Sequence, residues 1–409
     1  MTARVGWRSS VAFVTVVVVQ RWASTLLACY GGSILLGSLL FGWVGDQTKA
    51  KQVPFLLGMA VVGGATVLFS LTKTLSLVLL ARLLQGLSTA IVFTIGFSLL
   101  LETVGSKHIG RAVGFTSMSL SLGLFGGPII GGFVYDRAGY FAVFVPAFAL
   151  IVLEIILRLL LRPRPPVRHD NDPDENEPLL PDTADTDTQP ASAVTAPSIL
   201  LRTPRFLVAM TGMCLLNTFM TAFEAVLPVY LRSTFHYSPN QIAIVFLSNT
   251  LPMVLSPLSG TIVDRIGPFW PAVAGFAVAG PSMMLLALVQ HNSPTSSLLL
   301  LRAFLFLFGC GVSMAMPAVM AEMSMATEAV EARHPGIFGR YGAYSQTYGL
   351  SNAAFAGGTL AGPLLGGYIS ELAGWGVMVA VLGGLSLGMV VLVVVFTGRE
   401  AVLVTGDES

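Results

Sequence analysis

The chain has 409 residues, of which 54% are hydrophobic and 11% are charged, and its formal net charge is +1. A soluble domain carries about a quarter charged residues, so this composition predicts a protein that lies largely in a lipid bilayer. The small net charge argues against nucleic acid as a partner, because such binding needs a basic patch or stripe. Three cysteines lie far apart in apolar runs, which excludes a disulfide framework and a cysteine zinc site.

Residues 1–21 form a short N-terminal segment that begins with Arg4 and Arg8 and continues into the apolar run from Val11 to Val19. As a helix this run would be roughly 13 Å long, whereas the hydrocarbon core of a bilayer is about 30 Å thick. It therefore cannot cross a membrane alone. A basic start before a short apolar run is also found in signal peptides, but no small-residue cleavage site precedes the next apolar segment.

Eleven apolar segments of membrane-spanning length follow in two groups. Five make up the predicted N-terminal bundle, residues 22–162, and six the predicted C-terminal bundle, residues 205–397. The first group is 22–45, 53–72, 76–101, 111–134 and 140–162; the second is 205–231, 240–262, 268–290, 297–321, 345–370 and 375–397. Residues 163–204 between the groups are rich in proline and acidic side chains, which predicts a disordered linker, and residues 398–409 form a polar tail.

Basic residues beside the spans indicate the orientation. If the spans alternate, one side of the membrane receives Lys49, Lys51, Lys107, Arg111, Arg162, Arg164, Arg168, Arg265, Arg333, Arg340 and Arg399. By the positive-inside rule that side is cytoplasmic, and it includes the linker and the C-terminal tail.

A glycine pattern occurs twice and indicates an internal duplication. Its first copy is Gly114, Gly123, Gly127-Pro128 and Gly131-Gly132; its second copy, 235 positions later, is Gly349, Gly358, Gly362-Pro363 and Gly366-Gly367. Glycine inside a helix costs about 1 kcal/mol relative to alanine in water, so another effect must favour it at these positions. The expected effect is close approach of helices in lipid, where small residues form the interfaces.

A second pattern also occurs once in each half. Gly42 and Asp46 end the first full span, and Gly260 and Asp264-Arg265 hold the matching place in the second half. We expect the glycines to permit a tight turn at the helix end, and the aspartates to clamp neighbouring helix ends through charge-assisted hydrogen bonds.

Ionisable and amide side chains within predicted spans are candidates for a transport pathway. Arg82 and Gln85 lie early in the third span, and Arg302 lies at the corresponding place in the second half; snorkelling to the interface is the alternative for an arginine so placed. Glu224 lies mid-membrane and could exchange a proton near neutral pH or bind a substrate cation, or else be neutral and hydrogen-bonded between helices. Asn217 could contact substrate, although interhelical hydrogen bonding is its commoner role.

These elements together resemble the major facilitator superfamily over about residues 20–400. Gly42 with Asp46 is similar to the loop motif after its second helix, Arg82 with Gln85 to its fourth-helix motif, and the stretch from Gly114 to Gly132 to its antiporter motif. Phrases such as Gln20-Arg21-Trp22 are similar to fungal drug:proton antiporters related to vesicular amine transporters. The resemblance implies an all-α membrane protein with two helical bundles related by a pseudo-twofold axis and alternating access about a central site.

One departure from the resembled family is large: its first helix is missing near residue 15, so about eleven transmembrane helices are expected in place of twelve.

The first hypothesis is a proton-coupled exporter of small organic molecules, including cationic or amphiphilic ones, in the plasma membrane or a vacuolar or vesicular membrane. The alternative is a receptor or remnant that no longer transports. No nucleophile–base pair, nucleotide loop or metal-ligand cluster is evident in the sequence, so we expect no enzyme activity, cofactor or metal.

Overall fold

The computed structural model describes residues 29–48, 51–72, 74–105, 108–160, 196–237, 239–289, 294–335, 337–338 and 343–397, together with Leu26. The predicted N-terminal segment 1–21 and tail 398–409 lie outside the described residues. In the first half the helices are α1 (29–47), α2 (Gln52–Leu71), α3 (Leu75–Val104), α4 (Ile109–Ala138) and α5 (Phe144–Leu160). A 3-10 turn, Phe141–Val143, leads into α5.

The second half repeats this series with one more long helix. Its helices are α6 (Ala196–Leu200), α7 (Pro204–Phe235), α8 (Pro239–Thr250), α9 (Ser256–Ile266), α10 (Phe269–Leu285), α11 (Pro294–Arg333) and α12 (Tyr344–Phe396). A 3-10 segment, Leu251–Leu255, joins α8 to α9 into one path across the bundle. Gly374, with φ of 85°, divides α12 into two spans, because this left-handed conformation suits glycine and interrupts the helix.

The described chain is all-helical, as predicted, and the described residues of each of the eleven predicted spans are mostly helical. Eight described helices are long and apolar enough to cross a membrane, counting α12 as one helix. One difference concerns the predicted linker, 163–204. Its last residues contain the short helix α6, so regular structure begins before the predicted boundary, whereas residues 161–195 lie outside the described part.

Burial differs strongly between the two halves. The main core consists chiefly of second-half side chains, including Phe206, Phe219, Phe276 and Phe308, whereas a smaller cluster in the first half centres on Phe55 and Ile95. In the most apolar window of α7, 61% of residues are buried inside the protein; in that of Phe141–Leu160 the figure is 0%. The first-half helices thus leave faces without protein neighbours in the described structure.

Candidate functional site

Two aspartates join the halves of the protein at one end of the helices, which we call the basic end because Lys51, Arg111, Arg265 and Arg333 lie there. The Ser345 and Gln346 amides at the start of α12 donate hydrogen bonds to the Asp46 carboxylate oxygens at 2.7 and 2.9 Å. The two amides thereby find acceptors that their own helix cannot supply. The negative charge also lies where the helix dipole favours it.

The second aspartate makes the same contact with the halves exchanged. Gly110 and Arg111, in the first turn of α4, donate their amide hydrogens to the Asp264 oxygens at 2.7 and 2.9 Å. In both cases the residue before the helix makes no side-chain cap of its own. We call the two arrangements the trans caps, because each half caps a helix of the other.

The glycine four residues before each aspartate explains how a helix end can approach so closely. A Cβ atom on Gly42 would lie 3.0 Å from the Ser345 carbonyl oxygen, and one on Gly260 would lie 2.6 Å from the Gly110 carbonyl carbon. These glycines lie inside α1 and α9, not in turns as the sequence suggested. After α9 the turn is made by Gly267, whose φ is 82°.

The two caps differ in their surroundings. Asp46 is 4% exposed, and Lys51 lies 4.0 Å from its carboxylate while donating hydrogen bonds to Ser98 and Glu102. Asp46 follows the predicted span 22–45, and burial raises the pKa of its carboxyl from 3.8 to about 6 against the opposing effects of Lys51 and the two amides. Asp264 is half-buried, and Arg265 beside it is exposed.

Further from the basic end, Gly114 and Gly349 also lie between the halves. A Cβ atom on Gly114 would meet the Ser256 carbonyl oxygen at 2.5 Å, and one on Gly349 would meet the Ser38 carbonyl oxygen at 2.5 Å. The first member of each glycine pattern therefore allows backbone-to-backbone contact between the two halves.

The later glycines of the two copies have different neighbours. In the second copy, Cβ atoms on Gly358 and Gly362 would lie 2.9 Å from the Asn217 side chain and 2.6 Å from the Thr218 carbonyl oxygen of α7. In the first copy, Gly123 and Gly127 have no described residue within 4 Å of such an atom. The face of α4 that corresponds to the α7 contact on α12 is thus open in the described structure.

The remaining glycines of the two patterns show the same difference between a packed second copy and an open first copy. Gly366 packs on Ala222 of α7, whereas its counterpart Gly131 is within 4 Å only of Val143 among the described residues. Within the described structure, neither Gly132 nor Gly367 has an atom within 4 Å of an added Cβ atom. The two prolines of the patterns, Pro128 and Pro363, lie within α4 and α12.

A narrow cavity of about 30 Å³ lies between the halves, just inside the trans caps. Five helices line it: α3, α4, α7, α11 and α12. The lining residues are Phe93, Phe97, Ser117, Leu120, Met213, Met316, Met320, Tyr348, Ser351, Asn352 and Phe355. Phe97 and Tyr348 stack across the interface, with ring centroids 5.6 Å apart and an interplanar angle of 22°. Asn352 adds a hydrogen bond of 2.7 Å to Ser38 of α1.

The arginine candidates lie outside the lining of this cavity. The Arg82 guanidinium lies over the Phe69 ring of α2, 4.7 Å from its centroid, and donates a hydrogen bond to the Gln85 side-chain oxygen at 3.2 Å. Both partners belong to the first half. Arg302 is half-buried on α11. The structure thus brings Arg82 and Gln85 together but does not bring either arginine to the interface cavity.

Two candidates on α7 have different environments. Asn217 donates hydrogen bonds of 2.6 Å to the Phe355 carbonyl and the Thr359 hydroxyl of α12, the interhelical role that the sequence left open. Glu224 is exposed. It follows the cavity-lining Met213 by eleven residues, which is about three helical turns, so both lie on one face of α7 about 16 Å apart.

Comparison with known proteins agrees with this architecture. Residues 18–343 match the model of the Major Facilitator Superfamily. The chain belongs to this superfamily. It is 31% identical to the MFS-type transporter ppzB of Metarhizium rileyi, over 93% of this chain and 87% of that protein. It is 23% identical to the synaptic vesicular amine transporter of Bos taurus, over 81% of this chain and 58% of that protein.

A solved structure with the same fold is the human organic anion transporter MFSD10. It has a TM-score of 0.68 and 17% sequence identity, and the match covers 90% of this chain and 82% of that chain. The family, the helical fold and the integral multi-pass membrane location predicted from the sequence are therefore confirmed. So is the broad class, a transmembrane transporter and not an enzyme.

Sequence reasoning missed two ion pairs at the basic end. Glu102 pairs with Lys51, and Glu322 of α11 pairs with Arg205 of α7. A signal for them was present, because Glu102 and Glu322 are separated by 220 positions, the same interval that relates Arg82 to Arg302. The repeat that identified the arginines could therefore also have identified the glutamates.

Proposed function

We propose that the protein is a proton-coupled antiporter that exports small organic molecules by alternating access. The observation that carries this proposal is the pair of trans caps, which close one end of the interface in front of a cavity built from both halves. If the basic end faces the cytoplasm, as the positive-inside rule predicts, the protein is in a conformation closed to the cytoplasm. Substrate would enter the cavity after both caps have opened.

The caps are suited to a reversible gate. Four hydrogen bonds connect the halves through two carboxylates, and each such charge-assisted bond contributes about 1.5–3 kcal/mol. When the caps open, water can replace the protein as partner for each carboxylate and amide, so the net cost of opening is well below the sum of the bonds. Two discrete packings with a modest free-energy difference are what alternating access requires.

Glu224 is the proposed proton carrier. Its side chain is exposed on the same face of α7 as Met213, and it lies towards the end of the interface opposite the trans caps. A proton could therefore reach it while the basic end is closed. Binding and release of that proton would couple the proton gradient to the exchange of conformations.

The names of similar proteins leave the charge of the substrate open. One similar protein is named an amine transporter and another an organic anion transporter. These substrates have opposite charges, so similarity supports transport of small organic molecules without selecting a cation. Phenylalanine, tyrosine and methionine side chains in the cavity favour an amphiphilic or aromatic molecule.

The test is transport by purified protein in liposomes, with the proton gradient imposed in either direction. Uptake of a fluorescent aromatic probe should require the gradient and should stop when a protonophore dissipates it. Glu224→Gln should abolish the dependence on the gradient while probe binding is retained. Glu154→Gln on α5 is the matched control, because it also removes an exposed carboxyl from a predicted span. Transport by Glu224→Gln that still follows the gradient would refute the assigned role.

A second candidate function, a membrane receptor or remnant without transport, is favoured by the open face of α4. Where α7 packs on Gly358 and Gly362, nothing in the described structure packs on Gly123 and Gly127. A bundle that lacks one of its helices could bind ligand without rocking as a rigid body. In the liposome experiment this candidate predicts saturable probe binding, but no movement of the probe under any gradient.

A further inference from the structure

We propose that the interface cavity selects uncharged, planar aromatic molecules, and that Phe97 and Tyr348 are the two side chains that hold them. This inference rests on the proposed function, because it assigns a substrate class to the same cavity. It is carried by the chemistry of the lining, by the geometry of one aromatic pair and by one buried hydroxyl group.

Among the described residues, the lining contains no carboxylate and no basic side chain. The nearest carboxylates along the lining helices already have partners. Glu322, two residues after Met320, pairs with Arg205, and Glu102, five residues after Phe97, pairs with Lys51. Glu328, which acts electrostatically on Tyr348, is also engaged. A permanent cation in the cavity would therefore lose water without gaining a free counter-charge, which is unfavourable. A neutral ring would gain contacts with the phenylalanine rings and the polarisable methionine side chains.

The stacked pair gives the cavity a preference for flat molecules. Phe97 belongs to α3 of the first half, and Tyr348 belongs to α12 of the second. When the halves separate at the basic end, the two rings must separate too, and each then presents a face that was covered. An inserted planar molecule would restore stacking on both sides, whereas a globular molecule of the same size would restore little.

Ser351 supplies a hydrogen bond for the bound molecule. It lies about one turn after Tyr348 on the same face of α12, is 2% exposed, and lines the cavity. Its hydroxyl group has no hydrogen-bond partner among the described residues. A buried polar group is normally paired, so this hydroxyl is available to a heteroatom on the ligand.

The test compares acridine, which is planar and mostly uncharged near neutral pH, with N-methylacridinium, which has the same rings and a fixed positive charge. Binding to the purified full-length protein in nanodiscs is measured by fluorescence anisotropy, with empty nanodiscs subtracted. Acridine should bind at least about tenfold more tightly than the cation. It should also bind more tightly than 1-adamantanol, a compact neutral competitor. Equal or tighter binding of the cation would overturn the inference.

Variants distinguish the cavity from general adsorption. Phe97→Leu and Tyr348→Leu should each weaken acridine binding by about three- to tenfold, and Ser351→Ala by a similar factor. Phe133→Leu, at an exposed ring on α4, is the matched control and should change nothing. Equal effects of Phe97→Leu and Phe133→Leu would also overturn the inference. Selective acridine binding without gradient-driven transport would support the inference while refuting the proposed function.

Discussion

Gly349 allows the strongest test of the closed interface. In Gly349→Ala the added Cβ atom would lie 2.5 Å from the Ser38 carbonyl oxygen and 3.0 Å from the Gly42 Cα atom. Contacts below 3.0 Å are essentially never made by real Cβ atoms, so the backbones of α1 and α12 would have to separate by about 1 Å. Overpacking of this kind costs about 1–3 kcal/mol in the closed conformation.

Gly367→Ala is the matched control, because it makes the same chemical change on the same helix. Gly367 follows Gly349 by eighteen residues, which is about five turns, so both lie on one face of α12. No described atom lies within 4 Å of a Cβ atom added there. Both variants lose the same backbone freedom in the unfolded state, and only Gly349→Ala wedges the interface between the halves.

The assay follows access to the cavity from the basic end. In a background with the three native cysteines replaced, Ser117→Cys places a thiol in the cavity lining, and a membrane-impermeant maleimide is added on the side of the membrane that the basic end faces. If the added Cβ atom does not touch α1 in the open conformation, only the closed conformation is destabilised by about 1–3 kcal/mol. Alkylation of Gly349→Ala should then be about 5- to 150-fold faster than that of the parent. Gly367→Ala should be within about twofold of the parent. Equal rates for the two variants, with unchanged melting temperatures, would refute the wedge argument.

Three further predictions concern the caps and the helix packing. Because burial raises the pKa of Asp46 to about 6, the closed form binds a proton more tightly than an open form in which this carboxyl is hydrated. Lowering the pH from about 7 to 5 should therefore favour closure and slow the alkylation relative to that of a free thiol at the same pH, and Asp46→Asn should remove this additional slowing. Gly358→Ala should destabilise the protein by about 1–3 kcal/mol in thermal unfolding because α7 lies against it, whereas Gly123→Ala should have no effect. Glu322→Gln should cost about 2–4 kcal/mol, because the ion pair with Arg205 is largely buried, and the fall in melting temperature should exceed that of Arg205→Lys.

The positions of the helices could be predicted because hydropathy depends on local composition. Each of the eleven predicted spans is long enough to cross a bilayer, and in lipid such a run must be helical to satisfy its backbone. The bend at Gly374 could also be predicted, because this glycine matches Gly139, which ends a helix of the first half. The φ angles of Gly374 and Gly139 are 85° and 80°. Repetition thus revealed the arrangement of each half.

The partners of the motif residues could not be predicted in the same way. Asp46 and Gln346 are 300 positions apart, and their hydrogen bond joins helices of different halves. The pattern indicated that an aspartate follows a glycine by one turn, but not which helix start would approach it. Arg82 had the appearance of a pathway residue, yet its neighbours Phe69 and Gln85 lie within its own half.

The two copies of the glycine pattern show that spacing alone does not predict helix packing. Their spacing is identical, so the sequence assigns Gly123 and Gly358 the same role, but within the described structure only Gly358 has a helix against it. The difference lies in what packs against each glycine in the described structure, which a spacing pattern cannot report.

The trans caps also explain why opening should involve both halves at once. Asp46 belongs to the first half and holds a helix of the second, while Asp264 belongs to the second half and holds a helix of the first. A rigid rotation that separates the basic ends stretches both caps, because neither can be released by a movement within its own half. The two caps nevertheless have different surroundings, since of the two aspartates only Asp46 is both buried and close to Lys51. Because burial raises the pKa of Asp46 to about 6, proton concentration at the basic end would act on this cap, and the shared rotation would transmit that effect to the other.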